Sequence, residues 1–289
     1  MEPHFDDVQH HYDLSDDFYR LFLDRTQTYS CAYFERDDLT LEEAQIAKID
    51  LSLGKLGLEP GMTLLDVGCG WGGATMMRAL EKKYDVNVIG LTLSKNQALH
   101  VQHLFDDSES PRSKRVLLEG WEQFDEKVDR IVSIGGLRAL RLRPLQRVFF
   151  EMAYNALPAD GVMLLHTIVK PSDDDFNARD LPITMRHLKF FKFIMDEIFP
   201  PGGQLPPQPS TVIDYATRAG FSVNRVHPLR LHYARTLEIW AAALQENEEE
   251  AVALQSREVY DRYMKYLTGC AELFRDGYTD ICQFTLAKG

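Results

Sequence analysis

No stretch of this sequence stays apolar for the ~18–20 residues that a helix needs to cross a bilayer. Its first residues, MEPHFDDVQHHYDLSDDF, are acidic and hold no apolar secretory core. The expectation is therefore a cytoplasmic protein without a signal peptide. The four cysteines, Cys31, Cys69, Cys270 and Cys282, never form a C-x-x-C pair, which argues against a zinc or dithiol motif and for reduced thiols. Net positive charge is lacking as well. With 32 Lys and Arg against 44 Asp and Glu, the formal charge is -12, so nucleic acid is not expected as the main partner. One absence is local: from Arg130 to Phe150 there is no Asp or Glu at all. Within it, Gly135–Phe150 reads GGLRALRLRPLQRVFF, with four Arg.

What is present suits one globular unit. A chain of 289 residues with 45% hydrophobic and 26% charged residues can bury an ordinary core. Residues 1–60 read as mostly helical. Thr40 with Glu43 forms a capping-box pattern, and Leu41, Ala44, Ile46, Ile49, Leu53 and Leu56 follow at helical spacing. Residues 61–169 alternate strands and helices. Strands are expected at Thr63–Val67, Val86–Ser94, Lys114–Gly120, Val128–Gly135 and Gly161–Val169. Such alternation calls for an α/β fold with a mostly parallel sheet and a binding site at the strands' carboxyl ends. Residues 170–220 break the pattern with a polar loop, the aromatic helix MRHLKFFKFIMDEIFP and a Pro/Gly-rich turn, and read as an insertion over those ends, a lid or a wall of a substrate channel. Residues 221–289 return to two strands flanking long helices, making seven strands.

The loop DVGCGWGG, Asp66–Gly73, lets backbone approach a ligand at a helix start. A nicotinamide site would present an acid at the tip of the second strand, and GLTLSKNQ has none. S-adenosylmethionine is the better fit.

The motifs YSCAYF, LLDVGCGWGG, GLTLSKNQ, GWEQF, LLHTI, HYARTLEIW and YLTGC together resemble the mycolic acid cyclopropane synthases, over nearly the whole chain. The resemblance implies a class I S-adenosylmethionine-dependent methyltransferase fold, Rossmann-like. It places cofactor contacts on Tyr29, Ser30, Gly68, Cys69, Gly70, Trp71, Gly72, Thr92, Leu93, Ser94, Lys95, Asn96, Gln97, Trp121 and Glu122. Gln97 suits the ribose, and Trp121 suits the adenine or simply the core. The implied reaction adds the sulfonium methyl to a cis double bond and loses a proton to close a cyclopropane. Aromatic faces can stabilise the intermediate cation; Tyr12, Tyr29, Tyr33, Phe34, Phe199, Tyr233, Tyr263 and Tyr266 are available. The family's base is a bicarbonate ion, whose cradle maps to Cys31, His166, Tyr233 and a glutamate after the fourth strand. Cys270 is a further candidate, with structural packing as its ordinary reading.

That glutamate is missing. Where the family reads Gly-Ala-Phe-Glu-His-Phe-Gly, this chain has Gly135-Gly136-Leu137-Arg138-Ala139-Leu140-Arg141. With C- or G-ending codons and one base inserted after the first, the family peptide translates into this chain's peptide. Segment 136–147 thus reads as an out-of-frame version of an active-site segment; the competing reading is a selected basic helix. Arg138 then stands where a carboxylate belongs, beside a sulfonium. Two functional readings follow: an active lipid C-methyltransferase, or a cofactor-binding but catalytically impaired relative. A small-molecule O- or N-methyltransferase is disfavoured. The implied substrate is a long unsaturated acyl chain on acyl carrier protein. Phe190, Phe191, Phe193, Ile194, Met195, Ile198 and Phe199 are candidates to line its channel, and Arg186, His187, Lys189 and Lys192 to steer the acidic carrier.

Overall fold

A computed structural model describes residues 16–71, 73–135, 143–198 and 206–289. A short helix, α1 (Asp16–Arg20), leads into irregular chain and then α2 (Leu41–Gly54). The described part of 1–60 is therefore less helical than the sequence suggests. The Thr40 hydroxyl accepts from the Glu43 amide and the Glu43 carboxylate accepts from the Thr40 amide, so the expected capping box is present.

The core unit runs β1 (Thr63–Val67), α3 (Gly73–Leu80), β2 (Asn87–Leu91), α4 (Lys95–Asp106), β3 (Lys114–Leu117), a 3₁₀ turn (Trp121–Gln123), β4 (Arg130–Ile134), α5 (Arg143–Ala156) and β5 (Val162–Val169). The segment expected as a lid carries α6 (Asp173–Ala178), α7 (Met185–Phe193) and a π turn (Ile194–Ile198). Then come α8 (Pro209–Ala219), β6 (Phe221–Pro228), α9 (Arg230–Glu246), α10 (Glu248–Leu254), α11 (Arg257–Asp276) and β7 (Asp280–Lys288).

The strands form one sheet in the order β3-β2-β1-β4-β5-β7-β6. Strands β1 to β5 pair in parallel, and β7 enters antiparallel between β5 and β6. Strand order reverses beside β1, which is where an open α/β sheet leaves a crevice. The central strands are buried on both faces, as a parallel sheet between helices requires.

Apolar residues separate into clusters with different tasks. One holds Leu65, Ile131, Phe149, Phe150 and Phe284 under α5 and α8. Because Val212 and Ala216 pack there, α8 belongs to the sheet's helical layer. The tail of the segment 170–220 thus differs from the insertion expected over the strand ends: an apolar face on α8 covers the sheet instead. A second cluster, rich in aromatics, joins α1, α7, α9 and α11 above the strand ends. Among the described residues no helix is long and apolar enough to cross a membrane.

Candidate active site

The loop after β1 folds back across the end of β2. Gly68 and Cys69 donate their amides to the Leu91 carbonyl at 3.1 and 2.9 Å. Gly68 and Gly70 hold φ of 79° and 58°, left-handed conformations that glycine adopts without strain. Cys69 turns its side chain into the core beside Met76. Trp71 likewise turns away, packing at 5.0 Å on Tyr19 and donating to Asp16 at 3.1 Å. Gly72 lies outside the described residues.

At the end of β2, the Thr92 hydroxyl donates to Gln97 Oε1 at 2.7 Å, and Ser94 caps α4 by accepting from the Gln97 amide. Gln97 is thereby held with its –NH₂ end as the donor. Leu93 is half-buried, and Lys95 and Asn96 are exposed on the first turn of α4. Trp121 is buried, edge-on to Phe149 at 5.5 Å, within the main core. Next to it, Glu122 Oε2 is buried without a hydrogen-bond partner among the described residues.

Segment 28–34 crosses above α2 and is fastened from both sides. Gln45 donates to the carbonyls of Thr28 and Ser30 at 3.2 and 2.8 Å. Ala32 N donates to Thr236 Oγ1 at 3.1 Å, and Phe34 N to His232 Nδ1 at 3.2 Å, both on α9. This places Cys31 wholly inside the protein, its thiol donating to the Ala32 carbonyl at 3.1 Å. Burial pushes the Cys31 thiol well up, so it stays protonated.

Beneath that segment lies a residue the motifs did not mark. Lys48 is only 1% exposed and donates to Ser30 Oγ at 3.0 Å. Burial lowers its pKa to about 8, against the attraction of Asp24 and Asp66. Asp66, buried at the end of β1, is pushed up to about 7 by desolvation, which the Lys48 charge partly offsets. His166 on β5 is fully buried, and its pKa falls well below the ordinary value through burial, then Lys48, Lys55 and His227. Its Nδ1 contacts Gln283 at 3.1 Å, while Nε2 has no partner among the described residues.

The structure thus brings Cys31 and His166 around Lys48 and Asp66, a polar floor beneath a wall of packed aromatics. Tyr29, Tyr233, Tyr263 and Tyr266 all belong to that wall; Tyr233 packs at 4.7 Å on Phe274. Tyr33 sits at its edge against His232, and Phe34 departs from it, stacking under Arg235 at 4.0 Å. Cys270 packs at the cluster's margin on α11. Phe193 and Ile198 of the lid are buried in the same cluster, with Phe190 and Ile194 against it. The expected basic cluster is largely occupied: Arg186 pairs with Glu272, Lys192 with Asp196, and His187 packs on Tyr278 at 4.2 Å.

Gly135 (φ 84°) donates to the His166 carbonyl at 2.9 Å, so the chain leaves β4 beside His166. The residues that follow, including Arg138 and Ala139, lie outside the described residues, as do Tyr12 and Phe199.

Sequence reasoning missed Lys48, Ser52, Lys55, Asp66 and Gln283 as parts of this floor. A signal existed for most of them: Gln45, Lys48, Ser52 and Lys55 recur at helical spacing on a face that also carries Ile49, Leu53 and Leu56.

Comparison with known proteins agrees with this architecture. A family profile for mycolic acid cyclopropane synthetase matches residues 1–284. Cyclopropane mycolic acid synthase 3 of Mycobacterium tuberculosis is 65% identical over 288 residues, covering 100% of this chain and 99% of the relative. Cyclopropane mycolic acid synthase 1 of the same species is 66% identical with the same coverage. The structure of the cyclopropane synthase MmaA2 from Mycobacterium tuberculosis superposes with a TM-score of 0.96 at 62% identity, covering 100% of this chain and 99% of that one. That of CmaA1, complexed with SAH and CTAB, superposes with 0.94 at 65% identity and the same coverage. Coclaurine N-methyltransferase, 21% identical with a TM-score of 0.76, shares the fold. The chain belongs to the mycolic acid cyclopropane synthetase family.

Proposed function

We propose that this protein transfers the methyl group of S-adenosylmethionine to a cis double bond of a long unsaturated mycolic acyl chain and closes a cyclopropane ring. A bicarbonate ion takes the proton. The observation that carries this reading is the buried His166 Nε2, unpartnered among the described residues and set beside the Lys48 charge under an aromatic wall. Such a site suits a small anion next to an apolar substrate.

The residues present fit the methyl donor. The backbone of the Gly68–Gly72 loop takes its methionine end, Gln97 donates to ribose, and the orphaned Glu122 Oε2 accepts from the adenine amine. The donor supplies an electrophilic sulfonium methyl. As the olefin's π electrons form the new C–C bond, the C–S bond breaks and positive charge falls on the neighbouring olefin carbon. Tyr29, Tyr233 and Tyr266, all in the aromatic cluster, would stabilise that charge, and their apolar setting would limit its capture by water. A proton then leaves the new methyl for the anion held by His166 and Cys31, and its C–H electrons close the ring. The lid's Phe190, Phe193 and Ile198 border the acyl channel. Acyl carrier protein is the proposed donor of the chain, engaging near Lys189.

The second reading is a cofactor-binding relative with little turnover, and Arg138 favours it. A guanidinium in place of a carboxylate beside a sulfonium opposes both cofactor and carbocation. One experiment tests both. The protein receives S-adenosylmethionine, bicarbonate and a cis-unsaturated acyl carrier substrate, and mass spectrometry follows the acyl chain. A gain of one methylene supports the primary reading. Weak turnover that rises ten-fold or more in Arg138→Glu/Ala139→His assigns the loss to that segment, on the order of what one misplaced charge costs. Absence of any methylated product from either protein overturns the proposed activity.

A further inference from the structure

The buried ring of His166 has its proton placed by neighbours far away in the chain. His166 and Gln283 stand directly opposite each other on β5 and β7, so their side chains share one face of the sheet. Lys55 Nζ donates to Gln283 Oε1 at 2.5 Å. An ammonium has only N–H to offer, so the Gln283 amide must turn its oxygen to Lys55 and its nitrogen the other way. That nitrogen meets Ser52 Oγ at 3.0 Å and His166 Nδ1 at 3.1 Å. The Ser52 hydroxyl already donates to the Lys48 carbonyl at 2.8 Å, so its oxygen accepts from Gln283. The second amide N–H therefore meets a bare Nδ1. The proton of a neutral His166 ring is left on Nε2, the buried atom without a partner among the described residues.

We propose that Gln283, oriented by Lys55 and Ser52, is a positioning residue that fixes His166 as its Nε2–H tautomer and so makes the buried ring a donor to an anion. The identity of that anion as bicarbonate rests on the function proposed above. An N–H aimed at an anionic oxygen holds it, whereas the opposite tautomer would turn a lone pair toward it. The antiparallel strand β7 then contributes to the reaction through one amide. Its placement between β5 and β6 brings position 283 against position 166.

The test uses the full chain labelled with ¹⁵N-histidine and ring ¹⁵N–¹H correlation spectra at neutral pH. His166→Gln serves only to assign the signal. In the unaltered protein the His166 ring should be neutral with its proton on Nε2. Gln283→Glu replaces the amide donor with a carboxylate that accepts from Nδ1–H, so the tautomer should flip. Lys55→Met frees the amide to rotate and should give a mixture, and Lys55→Arg should restore the single Nε2–H form. Lys55 lies at the edge of the network, so its variants test the relay even where Gln283→Glu does not fold. Bicarbonate titration followed on the same signal should show affinity weaker by about ten-fold or more in Gln283→Glu, the scale of one lost charge-assisted donor. An Nδ1–H ring in the unaltered protein, or a tautomer unmoved by both Gln283→Glu and Lys55→Met, overturns the proposal. These spectra need neither methyl donor nor lipid. An Nε2–H ring that ignores bicarbonate therefore supports the relay while removing the base from the proposed function.

Discussion

Lys48 and Lys192 carry the same ammonium group in opposite settings. Lys48 is 1% exposed on the site floor, bonded to Ser30 and within the field of Asp66 and Asp24. Lys192, on the lid helix α7, pairs with Asp196 one turn along, with 77% of its side chain in water. The floor buries polar groups and pairs many of them, Lys48 with Ser30 and Gln283 with Ser52 and His166, because an unpaired polar atom there costs several times what it costs outside; Asp24 Oδ1, Gln45 Oε1 and His166 Nε2 stay without a partner among the described residues. The lid leaves its charges solvated, where pairing is worth little. The contrast teaches where precision is maintained. His166, Gln283 and Ser52 have their hydrogen-bond roles dictated, while α7 is held by a few apolar anchors such as Phe193.

The largest effect should come from the aromatic wall that joins the two regions. Trp240, fully buried on α9, packs on Phe22, Tyr29 and Tyr233. Trp240→Ala should cost about 3–5 kcal/mol in urea unfolding. A cost near zero would mean that floor and wall do not form one packed unit.

Next comes the charge buried in the floor. Asp66 titrates at about 7 in the folded protein, against 3.8 for an unperturbed aspartate side chain. Its pKa is raised, so the folded state binds the extra proton between those values. Stability therefore falls as pH rises from 3.8 to about 7. The full swing is on the order of 4 kcal/mol. Asp66→Asn removes this contribution, so its melting temperature relative to the unaltered protein should climb across that window. A constant difference between the two melting curves would place Asp66 in water rather than on the floor.

A smaller effect is expected where the lid meets α11. A Cβ on Gly269 would clash with the Phe190 ring, so Gly269→Ala must shift that ring or α7. The cost should be about 1–3 kcal/mol by thermal melting if the lid is docked as packed core. No cost would identify a lid that yields freely.

The two regions also differ in how far the sequence discloses them. The glycine loop, the capping box at Thr40 and the β/α alternation are local patterns, and each is present in the structure. The class of fold follows from them. Local patterns also mislead: Ile46 fits the apolar spacing of α2, yet it is 36% exposed, and Lys48 and Ser52 occupy the buried face. Hydrophobic periodicity marks a core face and says nothing about polar residues placed on it for a site. Gln283 is invisible in the sequence for another reason. Its role depends on pairing with His166, 117 positions earlier, through an antiparallel strand that no neighbouring residue announces. The lid's basic cluster promises more free charge than it has, because Glu272 and Asp196, which occupy Arg186 and Lys192, sit on another helix or another turn.

The smallest expected effect concerns that cluster. Arg186 donates to Glu272 at 2.6 Å, joining α7 to α11, with side chains 78% and 47% exposed. The distance is short, and by geometry alone this is a good ion pair. Exposure decides against it, because water already solvates both ends and holding two long side chains costs entropy. Arg186→Ala should change stability by less than about 1 kcal/mol, and a double-mutant cycle with Glu272→Ala should give a coupling of the same size that vanishes at high salt. A coupling well above that, surviving high salt, would mean that the lid is fastened through its charges as firmly as the floor is, and the contrast between Lys48 and Lys192 would no longer describe the molecule.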